Sequence, residues 1–487
     1  MILNTLPKDK MQENLNMDTL SIDILRLICN IMTDKECICT LSITNQMHLI
    51  KNKILYKKCR PLWQIKHLWY FDQFTNILVF EDDILDIDTY NFFLARIDNY
   101  KVSDNDFIAA IKKAPILFKL LLPVNAENIK FDFGFNCKID NYISHKIKKI
   151  TFGNRFDKDI NGILFPNLTH LIFGDDFDKN INGISFPSLT HLTFGNNFNK
   201  DINAILIPSL THLTFGTFFN KDVKNALPSN LTHLIFGESF NKDIKNALPL
   251  NLTYLTFGES FNKDIKNALP SNLTHLTFGW NFNQDLKNAL PSNLTHLTFG
   301  RKFNQDLKNA LPSNLTHLTF GYYFNQDIGD TLPSNLTHLI FGFNFDQDIK
   351  NALPLNLNYL TFGYYFNQNI KDALPSNLTH LTFGDKFNQD IKDALPLNLT
   401  HLTFGDKFNQ DIGDALPSNL THLTFGQSFN KGIKNALPSN LTHLTFGRDF
   451  NQDIGDALPL GLTYLELPLY CKYIPPPHCK IKKMSYL

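Results

Sequence analysis

Tryptophan is nearly missing, with three residues in a chain of 487. Cysteine is sparse as well: seven residues, an odd number at irregular spacing, which is a poor basis for a disulfide framework. Cys37 and Cys39 lack a second matching pair, so they do not make a zinc ribbon. Cys471, His478 and Cys479 supply three scattered ligands, one short of a closed tetrahedral set. There is no excess charge: 46 basic and 46 acidic side chains leave a formal net charge of zero. Nonspecific nucleic-acid binding needs a basic surface, so no nucleic-acid partner is expected. No apolar run approaches the ~20 residues needed to cross a bilayer, so no membrane partner is expected either. The first residues, Met1 to Lys10, do not read as a secretory signal. Together these absences predict a reducing, cytoplasmic setting. Also missing are a phosphate-cradling glycine loop, a nucleophile elbow and a zinc-helix motif, which leaves no support for an enzyme and no expected metal or cofactor.

What is abundant is phenylalanine, with 44 residues, in a chain that is 43% hydrophobic and able to bury a large core. The cause is repetition. A glycine follows an aromatic residue at Gly153, Gly174 and Gly195, and onward at the same interval to Gly447. The interval is about 21 residues, within the range of periods that signals solenoids or arrays. The pattern makes 16 copies from Ile147 to the copy that begins at Leu462, and a degenerate earlier copy stands at Lys130-Phe131-Asp132-Phe133-Gly134. Two phenylalanine ladders run through them, Phe152 to Phe446 and Phe156 to Phe450. Each contains 15 residues, so 30 of the 44 phenylalanines are structural steps. Asn or Asp follows the second ladder each time, as at Asp157 and Asn283, which predicts amide ladders closing the coils.

The copy from Leu273 to Asn293 is representative. Leu276 and Phe278 alternate with Thr277, the period of a half-buried strand. Gly279 ends the strand and can take a positive φ that other residues resist. Pro291 sets an extended return into the next strand. The predicted inner stack is Leu273, Leu276, Phe278, Phe282, Leu286 and Leu290. Burying each is worth roughly 1.5–3 kcal/mol, against about 1–2 kcal/mol of backbone entropy for every residue ordered. One coil therefore cannot stand alone, and stability comes from stacking neighbours.

The phrases Phe282-Asn283-Gln284-Asp285-Leu286 and Phe387-Asn388-Gln389-Asp390-Ile391 resemble the FNIP repeat, a divergent relative of the leucine-rich repeat. The family often has proline where Asp285 and Asp390 stand. The resemblance runs over 147–467 and implies a β-rich, leucine-rich-repeat-like parallel solenoid, one coil for each of the 16 copies.

Twelve copies carry histidine at one position, from His170 to His443, and Tyr254, Tyr359 and Tyr464 interrupt the row. Stacked at strand spacing, the imidazoles form a stripe beside a threonine ladder. Catalysis needs one differently placed base with an orienting partner in a pocket, so a periodic row reads as structure. The glycosylation-like Asn293-Leu294-Thr295 and its counterparts are products of the repeat and read the same way.

Function is sought where the period breaks. The two residues after each glycine escape the consensus: Thr217-Phe218, Trp280-Asn281, Arg301-Lys302, Tyr322-Tyr323, Phe343-Asn344, Tyr364-Tyr365, Asp385-Lys386, Asp406-Lys407 and Arg448-Asp449. In a parallel solenoid they lie side by side along one edge of the sheet. Trp280, Arg301, Tyr322, Tyr323, Phe343, Tyr364 and Tyr365 are of the types enriched in interface hot spots. They predict a partner-binding strip; the alternative is drift at solvated loop positions.

The N-terminal segment does not repeat. Ile24, Leu27, Ile28 and Ile31 have the period of an amphipathic helix, and further helices are expected from Asp34 to Leu41 and from Leu49 to Tyr56. The order Leu20-Ser21, Ile24-Leu25, Ile28, Ile31, with Leu62-Trp63 as the closing pair, resembles an F-box, although serine replaces the usual proline at Ser21. The pairing with FNIP-like repeats is typical of proteins of amoebae and of large DNA viruses of amoebae. The resemblance implies that Leu20, Ile24, Ile28 and Ile31 face a Skp1-like adaptor of a cullin ubiquitin ligase while the repeats hold an unknown protein substrate. In the alternative, these residues only fill a bundle core. The expected division is a helical module over 12–60, a connector and cap over 61–146, the solenoid over 147–467 and a C-terminal cap over 468–487. Within 61–146, Ile77 to Phe80 is expected as a strand and Asp106 to Ala114 as a helix.

Overall fold

The computed structural model describes residues 127–469 apart from 137, 140–145 and 204–206, together with the strands at 60–61 and 76–79 and residues 471 and 479–483. The expected F-box helices and the helix at 106–114 lie outside the described residues. The chain divides into two compact units, one over 1–177 with 184–189 and one over 178–183 with 190–487.

In the first unit, β1 (Arg60–Pro61), β2 (Asn76–Val79), β3 (Asn128–Phe131), β4 (Lys149–Thr151) and β5 (His170–Ile172) pair in sequence order, all parallel. Strand β2 falls where Ile77-Leu78-Val79 is expected to be extended. Strand β3 shows that the degenerate copy is a true coil: Ile129 lies opposite Ile150, and Phe131 and Phe135 stack on Phe152 and Phe156 at 5.2 and 6.1 Å.

In the second unit, β6 (His191–Thr193) opens a series of tripeptides that recur once per copy to β18 (His443–Thr445), followed by β19 (Tyr464–Leu467) and β20 (Lys480–Lys483). The register is in step across neighbours: His275 faces His296, Leu276 faces Leu297 and Thr277 faces Thr298. Strand β20 extends the same parallel sheet past the last copy, with Leu465 opposite Ile481. The two units together supply the 16 expected coils, one for each strand from β4 to β19. Among the described residues, no helix is long and apolar enough to cross a membrane.

The typical strand, such as β10 (His275–Thr277), buries its leucine and leaves histidine and threonine half-buried on the outer face. Two phenylalanine rings follow, facing each other within the coil at 3.7 Å (Phe278 and Phe282) and stacking on the next coil at 5.9 and 6.2 Å. Phe282 and Leu286 are fully buried, as expected. Leu290 departs from expectation: Ala289 takes the inner position and Leu290 is only half-buried. The reason is a tight turn, closed by the Ala289 N–H donating to the Leu286 carbonyl at 2.9 Å. Its hinge is Asn288 at φ 56°, left-handed backbone that asparagine tolerates.

The strand-ending glycine does not use the conformational freedom open to it. Gly279 and its counterparts do not have positive φ; a Cβ there would overlap the carbonyl group of the preceding coil's glycine. The side chain is excluded by close approach of backbones, not by conformation. The amide ladder is present: the Asn283 N–H donates to Asn262 Oδ1 at 2.9 Å, and Gln284 Nε2 donates to the same oxygen at 2.9 Å.

Candidate protein-binding surface

The two variable residues after each glycine sit on a turn held from coil to coil by main-chain bonds. Lys302 N–H donates to the Trp280 carbonyl at 2.8 Å, Tyr323 to Arg301 at 2.9 Å, Asn344 to Tyr322 at 2.9 Å and Tyr365 to Phe343 at 3.0 Å. This ladder brings the first variable side chain of each coil directly over that of the last. Trp280, Arg301, Tyr322, Phe343 and Tyr364 consequently form one continuous stack. The Arg301 guanidinium lies 4.3 Å from the Trp280 ring and 4.3 Å from the Tyr322 ring. Tyr322 and Phe343 stack at 4.4 Å, and Phe343 and Tyr364 at 4.5 Å. The Lys386 ammonium sits over Tyr364 at 5.5 Å.

Tyr323 and Tyr365 form a second column. Each meets its chain neighbour edge to face, at 4.9 and 5.0 Å. They stay open to solvent, 42% and 46% exposed, as does Trp280 at 41%. All seven residues singled out in the sequence are thus brought together along one edge.

The same coils depart from the repeat on the sheet face. Ile340 replaces threonine and is 44% exposed, and Tyr359 replaces histidine and is 41% exposed. An open hollow of about 480 Å³ lies upstream, walled by Asn314, Thr316, Asn335, Thr337, Asn356, Asn358 and Asn377. Ile340 and the hollow were missed from the sequence. Their signal was the substitutions Thr to Ile at 340 and Thr to Asn at 358, small against a strict repeat. Leu250, Leu355, Leu397 and Leu460 also stand exposed, each after a proline where most copies have serine.

The histidines stack as expected, with ring centroids 4.1 Å apart for His275 and His296 and 4.2 Å for His296 and His317. Each Nδ1 lies 2.9 Å from the hydroxyl of the preceding threonine, as in Thr295 and His296. Burial, and secondarily the neighbouring imidazoles, holds His212, His233, His296, His317, His338, His380, His401 and His422 below the ordinary value. Among the described residues, no group of three or more His, Cys, Asp or Glu side chains could hold a metal ion. His478 lies outside the described residues; Cys471 is half-buried and Cys479 buried, with its thiol pushed up by that burial. The Asn293 amide donates to the Ser271 carbonyl at 3.0 Å, so the glycosylation-like triplets hold loops together. Leu20, Ile24, Ile28 and Ile31 lie outside the described residues.

Fold and surface define a leucine-rich-repeat-like binding scaffold. The family described as FNIP Repeat matches residues 187–218, 219–260, 261–302, 303–344, 324–365, 366–407, 387–428, 408–435 and 429–470, and the chain belongs to that family. Among solved structures it is similar to CroV588, described as a circular leucine-rich-repeat protein. That likeness has 34% identity and a TM-score of 0.53, covering 85% of this chain and 73% of that one. It is more distantly similar to YopM from Yersinia enterocolitica, at 20% identity and a TM-score of 0.42 over 81% of this chain and 89% of that one. No curated protein sequence matches the chain.

Proposed function

We propose that the chain is a non-catalytic recognition protein of the cytoplasm. The strip from Trp280 to Tyr365 holds a protein target. The N-terminal segment, through Leu20, Ile24, Ile28 and Ile31, docks a Skp1-type adaptor of a cullin ubiquitin ligase. The observation that carries the target-binding half is the strip: Trp280, Tyr323 and Tyr365 are left open to solvent by a ladder that would tolerate small polar residues equally well. Clustered aromatics beside an arginine are the composition of interface hot spots. The adaptor-docking half rests on the order of apolar residues between Leu20 and Ile31.

Capture of purified Skp1 by the full chain tests the ligase role. Wild type should retain it and Ile24→Asp should lose it; equal retention would sink that role. The second reading, a scaffold that binds host proteins without ubiquitin chemistry, would then remain, because the strip is complete without the N-terminal segment. Replacing Tyr322, Tyr323, Tyr364 and Tyr365 together should abolish target capture with the melting temperature held. Unchanged capture would refute the strip itself.

A further inference from the structure

The arginine in the strip differs from every other charged group on it. The Arg301 guanidinium carbon is 4.3 Å from the Trp280 ring on one side and 4.3 Å from the Tyr322 ring on the other, with Tyr323 at 5.7 Å. Both faces of the planar group are therefore covered, and the fork left to meet a ligand is its pair of Nη groups. Its Nε is buried with no hydrogen-bond partner. Among the described residues, Arg301 takes part in no ion pair, in contrast to Lys148 with Glu127, Lys200 with Asp178 or Lys482 with Glu466.

A fixed guanidinium fork with no internal anion is built for bidentate capture of an oxyanion. Other coils place Glu259, Phe343 or Asp385 at the same position, so the coil itself does not demand a cation there. We propose that Arg301 takes a carboxylate of an acidic peptide segment of the target, with an aromatic or aliphatic side chain of that segment lying on Tyr323 and Tyr365. This rests on the strip being the target-binding surface and names the chemistry it reads.

A carboxylate fits better than a phosphate. Phosphate recognition draws on clusters of cations. From Trp280 to Tyr365 the variable positions offer only Arg301 and Lys302, and Glu259 and Asp385 stand at the two ends of the column. One negative charge inside an apolar sequence matches that field; a dense anion does not.

The test is selection of a random peptide display library on the full-length wild-type chain. Enriched sequences should carry Asp or Glu beside an aromatic or aliphatic residue. Synthetic versions with Asn or Gln in place of the acid should bind at least tenfold more weakly, and binding should weaken as salt is raised. Arg301→Lys keeps the charge and loses the fork, so it should cost at least tenfold with an unchanged melting temperature. Absence of acidic enrichment, equal binding of the amide peptides, or full binding by Arg301→Lys overturns the proposal. Tighter binding of phosphoserine versions overturns the choice of carboxylate. If Tyr323→Ala with Tyr365→Ala abolishes binding while Arg301→Lys does not, the strip stands and the arginine's role falls. If neither change matters, the strip reading falls as well.

Discussion

At the scale of single residues, the glycine that follows the strand in all but the last coil carries the sharpest consequence. A Cβ on Gly300 would overlap the carbonyl of Gly279 and crowd the nitrogen of Trp280, all of it backbone that cannot swing away. Gly300→Ala should destabilise by roughly 1–3 kcal/mol, as overpacking does, and disturb the turn beneath the strip. Gly432 has nothing within 4 Å of its Cβ position and no positive φ, so Gly432→Ala should be neutral or slightly stabilising. Parallel urea titrations of the two variants would decide it; equal midpoints would mean that close approach is not the reason for the glycine. The recurrence of this residue was plain in the sequence, but its cause was not. Periodicity reports which positions are constrained, while a clash between two coils exists only once their separation is known. Leu290 and Ala289 teach the same lesson: hydrophobicity favoured the leucine, and the turn hinged on Asn288 gave the inner position to the alanine.

At the scale of the strand, the histidine row links register to pH. In-register pairing places imidazoles 4.1–4.2 Å apart, and burial with mutual repulsion lowers the affinity of His296 and His317, among others, for protons in the folded state. The unfolded chain, with histidines near 6.5, then binds more protons than the folded one. Stability is fully present above about pH 6.5 and falls as the pH drops through that value toward the lower folded values. Melting temperature should decline from pH 7.5 to pH 5.5. Tyrosine already occupies this position at Tyr254, Tyr359 and Tyr464, so His296→Tyr with His317→Tyr should fold and show a shallower decline. A decline as steep as wild type would assign the effect elsewhere. Strands, their order and this stacking were all legible from the constant spacing of the copies, since a parallel coil of fixed length permits one register. The stacking of Arg301 between Trp280 and Tyr322 was not, because position along the edge was readable and ring orientation was not.

At the scale of the whole molecule, a repeat array is a sum of coils and interfaces, so it can lose one coil without losing its plan. Removing residues 387–407 joins Lys386 to Phe408, which reproduces the natural Lys-Phe step at 386–387. Every Phe, Asn and His ladder closes over the gap in register. The variant should fold with a modest drop in unfolding enthalpy and keep its peptide ligand, because Trp280 to Tyr365 are untouched. Removing residues 301–321 is as conservative for the repeat, joining Gly300 to Tyr322. It deletes Arg301 and sets Tyr322 directly on Trp280, so the stack survives as an uncharged one. Folding should match that of the first deletion, while binding of an acidic peptide should be lost. Calorimetric melts and peptide titrations on both chains would separate the two contributions of the repeat. If both deletions bind alike, recognition does not depend on the few positions that break the period; if neither folds, the coils are not the independent units that their spacing implies.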